Sequence, residues 1–440
     1  MSAKNNPKFP TGKKTALRLP YFVTGWLLAA FAASAQEAVR NTQAGDTAAA
    51  ARSEQMQSTA GQDYTFKDGD FRLLLVPSVE MDWNDNVNLS RTNALDDFIL
   101  KPAVKLTATY PFTQRNLLFV DISVGYDQYF NHPNLSALEL NSDSGTGLSF
   151  DLGVEDLIFN FHDWISYSQD SSQSSLAANT PNYGTFRNTA GVSGKWDMNQ
   201  TVLSLGFDHQ NILATSSQFN SLNHAAEMLN ARAGFRVHPQ FTLGAEATAA
   251  FTTYQQSVLN NNSAYTAGAY AEFRPGSAFQ ATLRGGFTTY QFQNTSTTNR
   301  TGNPNSWYGS LLLSHQPRES LSYTLEAGHE VQLGTQSDLV EDWYVRPSVT
   351  WKIIKNLNIV TGMFYEHGQQ GLGNIKGNSR ENFDWYGGQL SVQQTLTRRF
   401  TLSVIYRLTV RDSREPLTST TANQSYNQNL IGLQLTYHPQ

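Results

Sequence analysis

Stretches of about 12–15 residues in which apolar and polar side chains alternate follow one another from Phe71 to the end of the chain, twice or more the mean length of a globular strand. A period of two fits a β-strand, whose successive side chains flip faces. In SYTLEAGHEVQL (322–333), Tyr323, Leu325, Ala327, Val331 and Leu333 share one face, interrupted only by His329. Ser322, Thr324, Glu326, Gly328, Glu330 and Gln332 share the other. The same division recurs in FILKPAVKLTATY, LLFVDISVGYDQYF, AFQATLRGGF, WYVRPSVTWKI and FTLSVIYRLTV. In LIFNFHDWISY, Asp163 falls on the apolar face unless a bulge shifts the register. Such strands build either a soluble sheet with its apolar face inward or a membrane barrel with its apolar face toward lipid.

The connections decide between them. Short turns at PFTQRN, VED, DMNQ, HPQ, RPGS, PRES, IKN and TRR alternate with mostly longer loops rich in Asn, Ser, Thr and Gly, such as NDNVNLSRTNALD and NTSTTNRTGNPN. The hairpin repeat is about 40 residues. An even number of long strands, short turns at one end and longer loops at the other is the outer-membrane pattern. Aromatics gather at strand ends as two belts would require. Trp83, Phe130, Tyr167, Tyr254, Trp307, Trp343 and Trp385 lie toward the long loops, and Tyr110, Trp196, Phe279, Trp351, Phe400 and Tyr437 toward the short turns. The expected fold is all-β, a transmembrane antiparallel β-barrel of about 18 strands (roughly 16–18), with short periplasmic turns and longer extracellular loops.

Composition agrees. Charged residues make up 15 % and aromatics 12 %, mean hydropathy is −0.42, and no run of apolar residues is long enough for a membrane helix. Residues 1–35 read as a signal peptide: Lys4, Lys8, Lys13, Lys14 and Arg18 precede LPYFVTGWLLAAFAA and the Ala33-Ser34-Ala35 cleavage site. Residues 36–70 read as a flexible periplasmic segment and 71–440 as the barrel. Loss of the signal removes five of 31 basic residues and none of 36 acidic ones, so the mature chain is acidic and no partner for nucleic acid. The absence of cysteine excludes disulfides, thiolate metal sites and lipid attachment at a mature N-terminal Cys.

MDWNDNVNLSRTNALDDFILKP, with Asp85-Asn86, Asp96-Asp97 and Pro102, followed by GYDQYF at 125–130, resembles the opening of the beta-barrel porin 2 family. Members of that group often resemble the outer-membrane barrels of exopolysaccharide export systems, and the resemblance implies a transport or export role without naming a substrate. The final strand, YNQNLIGLQLTYHPQ, resembles the recognition strand by which outer-membrane proteins engage the barrel-assembly machinery, although His438-Pro439-Gln440 extend beyond the terminal aromatic.

Motifs for chemistry are absent. Asp82, Asn84 and Asn86 start like a calcium loop, but Val87 stands where glycine is needed and Asn93 where the bidentate Glu belongs. GLGNIKG misses the dinucleotide spacing, His329-Glu330 lacks a second His, and there is no nucleophile elbow. Neither cofactor nor metal is expected. What remains is the lumen. The alternation sends Lys101, Lys105, Asp121, Asp127, Asp208, Glu246, Arg284, Glu326, Glu330, Arg346, Lys352 and Arg407 inward. Walls charged in both signs suit polar solutes, although many such residues serve as structural ion pairs. Loops this short argue against a deep constriction and for an open passage. The expected function is an outer-membrane channel for polar solutes or polysaccharide export, with lipid as partner and no enzymatic activity. A closed barrel serving as a surface anchor is the first alternative, and an outer-membrane hydrolase the weakest.

Overall fold

The computed structural model describes residues 64–141, 147–168, 174–181, 183–297, 300–335, 337–374, 381–414 and 424–439. The signal peptide and the first part of the 36–70 segment lie outside them. The strands are β1 (Phe66–Asp68), β2 (Phe71–Asn84), β3 (Asp97–Pro111), β4 (Leu117–Tyr129), β5 (Ala137–Asn141), β6 (Leu148–Val154), β7 (Leu157–Ser168), β8 (Thr185–Asp197), β9 (Thr201–Ala214) and β10 (His224–His238). They continue as β11 (Phe241–Tyr254), β12 (Asn262–Gly276), β13 (Phe279–Phe292), β14 (Asn305–Arg318), β15 (Leu321–Leu333), β16 (Leu339–Ile354), β17 (Leu357–Gln370), β18 (Asn382–Thr395), β19 (Phe400–Arg414) and β20 (Tyr426–Tyr437).

Apart from β5 and β6, consecutive strands pair antiparallel, and β2 closes the ring on β20 from Ser78↔Thr436 to Asn84↔Leu430. β5 and β6 are two pieces of one staggered strand, since both lie between β4 and β7. With β1 outside the ring, the result is a closed 18-strand antiparallel barrel, as the repeat of hairpins predicts. Closure leaves no strand edge to lipid, which is why an antiparallel sheet can cross a membrane at all. The register of closure leaves the first half of β2 extending past the end of β20. There β1 covers the free edge by pairing Phe66–Asp68 with Leu73–Phe71, and Thr65 adds a backbone hydrogen bond to Leu73 O at 2.8 Å.

The outward face is an apolar band. Val79, Met81, Val104, Leu205, Leu283, Met363, Val404 and Leu433 are all exposed there. Trp196, Trp351 and Phe400 stand at its short-turn end, and Trp307 and Trp343 at the other, so this is a barrel of outer-membrane type. Two of the predicted belt residues belong elsewhere. Tyr254 and Trp385 are buried on the inward face, Trp385 donating from Nε1 to Tyr426 Oη at 3.2 Å. Alternation places them inside; nearness to a strand end says nothing about the face. Asp163 needs no bulge, because β7 pairs with β8 without a register shift and the carboxylate stays on the outer face.

Burying an arginine in the apolar band has a calculable cost. Leu205, 66 % exposed at the outer face of β9, is the position to test. Leu205→Arg is expected to destabilise the folded barrel by about 2–4 kcal/mol, and arginine at inward-facing Ser204 by clearly less. Urea titrations of folding into lipid vesicles measure both.

Candidate functional site: the barrel interior

The interior is not uniform. From the middle of the wall toward the short turns its side chains are part-exposed, with Glu272 at 23 %, Glu326 at 29 % and Lys105 at 31 %. Toward the long loops almost every inward residue is buried.

The predicted inward residues fall into separate ion-pair clusters. Lys101, on β3, lies 3.1 Å from Asp82 and 3.8 Å from Asp127, bridging β2 and β4. Lys105, one inward step apart on β3 from Ala103, meets Asp121 at 3.3 Å, and Thr107 Oγ1 donates to the same carboxylate at 3.1 Å. Asp208 receives His162 Nε2 at 2.6 Å and Asn230 Nδ2 at 3.3 Å. The chain continues through His162 Nδ1 and Asn160 Oδ1 (2.9 Å) to Asp151 (2.5 Å). This line needs Gly191: a Cβ there would overlap both Asp208 and His162.

Glu246 is the centre of the largest cluster. Arg284 donates to it from Nε at 3.0 Å and from Nη2 at 2.8 Å, and Tyr308 Oη donates to Oε1 at 2.7 Å. Arg232 stands 3.7 Å from Glu246, reaches Glu272 at 3.1 Å and lies over the Tyr270 ring at 3.8 Å. Arg346 links Glu326 (3.8 Å) to Glu366 (3.4 Å). Glu330 is buried opposite Asp342 in the same sector. Lys352 sits by the short-turn end opposite Asn358, and Arg407 opposite Leu430 on the inner face of β19. Placement of residues of both signs within reach of each other follows from cross-strand geometry, since inward side chains on neighbouring strands stand only about 5 Å apart.

The long-loop end departs most from expectation. Pairing of β14 with β15 stops at Gly309↔His329 although both strands run on. At that point His329 is held between Trp307 and Trp343, with ring centroids 4.1 and 4.6 Å away, and meets Glu341 at 3.0 Å. Beyond it the β15–β16 tip enters the barrel. Val331 and Leu339 pack in one buried cluster with Met228, Ala250, Tyr290 and Phe292. Val340 packs in another with Leu89, Phe364, Phe383 and Trp385. Val331, expected to face lipid, is therefore fully buried inside. The tip touches inner walls on both sides, and the short loop is itself the constriction that loop length argued against.

Polar contacts hold it there. Asp338, on the tip, accepts from Asn260 N and Asn260 Nδ2, both at 2.8 Å, and from Thr301 Oγ1 at 2.5 Å. Asn260, Thr301 and Asp338 are all essentially unexposed. On the opposite wall Ser175 donates to Glu366 at 2.5 Å, while Arg411 contacts Glu381 at 2.7 Å and donates to Ser175 O at 2.8 Å. Leu89 lies in the left-handed region (φ 50°), an arrangement costing about 1–3 kcal/mol for a bulky residue. Its complete burial against Leu176 and Ala177 offsets that cost. Beside it, burial pushes the Tyr183 phenol up to about 12. Asp338, Asn260, Thr301 and Arg411 had no mark in the sequence beyond sitting in or beside loops.

The Asp82–Asn86 stretch holds itself together as a polar loop. Asn86 binds Ser90 through both its amide oxygen (2.9 Å) and nitrogen (2.8 Å). Asp97 accepts the backbone N–H groups of Phe130, Asn131 and His132 at 2.9–3.0 Å, so this carboxylate anchors the neighbouring loop.

No family model and no curated protein matches the chain, so its resemblance to the porin 2 family rests on the quoted residues alone. Solved outer-membrane proteins do resemble it in structure. Pseudomonas aeruginosa OccK2 (OpdF) in complex with glucuronate has 10 % identity and a TM-score of 0.46, covering 83 % of this chain and 98 % of that one. Acinetobacter baumannii OccAB3 gives 9 %, 0.46, 84 % and 99 %. A BenF-like porin from Pseudomonas fluorescens Pf-5 gives 9 %, 0.45, 84 % and 99 %. At such identity and overlap the likeness is one of general barrel architecture and says nothing of cargo.

Glu246→Ala would take from Arg284, 5 % exposed, the carboxylate to which its Nε and Nη2 both donate. The expected loss is about 3–5 kcal/mol, read as a lower urea midpoint, with Arg284→Leu added to Glu246→Ala recovering a large part of it.

Proposed function

We propose that this barrel is an outer-membrane channel for small polar solutes whose long-loop mouth is closed at rest by the β15–β16 tip. The observation that carries this reading is the division of the interior. One half is lined by part-exposed charged residues of both signs, among them Lys105, Glu272 and Glu326. The other half is filled by a hairpin tip that a single acidic residue, Asp338, ties to two other loops. A barrel of this strand number is wide enough for an aqueous path, so side chains and the tip set its bore. The polar wall would replace the hydration of a small charged or hydroxylated solute, as channel linings do.

A polysaccharide conduit, the other cargo raised by the sequence, has no support in a mouth packed with side chains. The closed state keeps the second reading alive: if the tip never leaves, the barrel is an anchor. Displacement of Asp338 separates the two. Its removal breaks three hydrogen bonds while the strands remain paired, so the barrel stays and only the tip loosens.

The experiment is single-channel recording of protein purified from outer membranes, with Asp338→Ala beside it. The parent is expected to open rarely, and Asp338→Ala to open more often or wider, with steps reduced by small polar solutes. Silence of both proteins, each still a heat-modifiable barrel, would sink the channel and leave the anchor.

A further inference from the structure

The outer surface carries a feature that channel function does not use. On the lipid-facing side of β7 to β10 lies a row of polar residues in two hydrogen-bonded groups. Asn188 Nδ2 donates to Asp163 at 2.5 Å. Asn188 stands directly opposite Asn211, whose Nδ2 meets His209 Nε2 at 2.9 Å. His209 Nδ1 in turn meets Glu227 at 2.7 Å, with side-chain exposures of 38 % for His209 and 47 % for Glu227.

The row lies inside the apolar band, with lipid-facing residues on both sides of it. Toward the short turns the next outward row is Phe161, Val192, Phe207 and Leu229, and three of these four are among the exposed large hydrophobics. Toward the long loops stand Tyr167, Phe186 and Leu213. Other outer-face ion pairs among the described residues, His329–Glu341 and the contacts of His367 and Arg414 with Asp384, lie at the long-loop ends of their strands, where headgroups and water can reach them. Ionisable groups facing hydrocarbon are costly and are normally covered.

The surface next to the row is unusually flat. Ala231, Ala233, Ala245, Ala247, Ala267 and Ala269 sit side by side on the outer faces of β10, β11 and β12, in the registers Ala231↔Ala247↔Ala267 and Ala233↔Ala245↔Ala269. Beyond them Phe287, 74 % exposed, stands proud of β13. Small residues let two membrane surfaces approach closely enough for polar side chains to bond across the gap.

From these observations we propose that the outer face of β7–β12 is where a second copy of this chain docks within the membrane, about a two-fold axis. Such an interface applies one patch to itself and so requires that the patch be self-complementary. This one is: Asp163 and Glu227 carry acceptor oxygens and Asn211 keeps an amide N–H beyond the one it gives His209 Nε2, so a rotated copy presents a donor to an acceptor. A purely acidic or purely basic patch would repel its own image. The alanine face supplies close approach, and burial between two barrels removes the polar row from lipid.

The absence of cysteine from the whole chain makes the test direct. Ala247→Cys introduces one thiol into the alanine face, and Leu433→Cys, on β20 across the barrel, is the control. Membranes holding each full-length variant are treated with a short bismaleimide. A cross-linked species of twice the chain mass from Ala247→Cys and not from Leu433→Cys is the expected result. Its loss when His209→Leu and Glu227→Leu are added, with heat-modifiable folding retained, would tie the contact to the polar row. Monomer alone at Ala247→Cys, equal cross-linking at both positions, or an adduct to a protein of another mass would each overturn docking of a second copy at this face.

Discussion

The backbone of a chain crossing hydrocarbon has no water to bond, and the rest of this structure follows from how that demand is met. The pairing of β2 with β20 turns a row of hairpins into a ring in which every wall strand has two neighbours. The seam is shorter than the others because β2 starts beyond the end of β20, and the added strand β1 covers the part left over. Once the ring is closed, alternation is compulsory: each residue faces lipid or lumen, and a one-residue slip would exchange the two sets along a whole strand.

Closure concentrates charge inside. Inward carboxylates and cations on nearby strands cannot avoid one another, so Glu246 on β11 gathers Arg232 from β10, Arg284 from β13 and Tyr308 from β14, and Arg346 spans Glu326 and Glu366 on the strands to either side. The pairs brace the wall and keep charges compensated where burial would otherwise be costly. Bracing and lining a path are compatible where the clusters stay part-exposed, as around Glu272 and Glu326. Where they are sealed, as around Arg411, the side chains are architecture.

The long-loop end shows how little loop length says about occlusion. The segment between Leu333 and Leu339 is short, yet its tip fills the mouth because pairing of β14 with β15 is released early, at His329, and the last residues of β15 and the first of β16 travel with it. The tip can do this because both its faces carry apolar side chains: Val331 and Leu339 suit one wall, Val340 the other. Read as a straight strand, the same residues alternate between lipid and lumen, and Val331 goes to lipid.

Strand number, antiparallel order, the two unequal kinds of connection and the face taken by most residues could be read directly from the chain. Each depends on local alternation and turn chemistry, which neighbours in sequence carry. Glu326, Glu246 and Leu325 could be placed this way. What local pattern could not carry was any contact between segments far apart in the chain. Arg411 with Ser175, Asp338 with Asn260 and Thr301, and the meeting of Leu89 with Phe383 depend on the ring being closed and on its curvature bringing distant loops over one opening. The same holds for the outer polar row, whose Asp163 looks like an isolated misfit until β8, β9 and β10 set Asn188, His209 and Glu227 beside it. Sequence determined the wall, because a wall is made of neighbours; the tertiary structure alone decided what closes it and what it could lean against, because those are made of strangers.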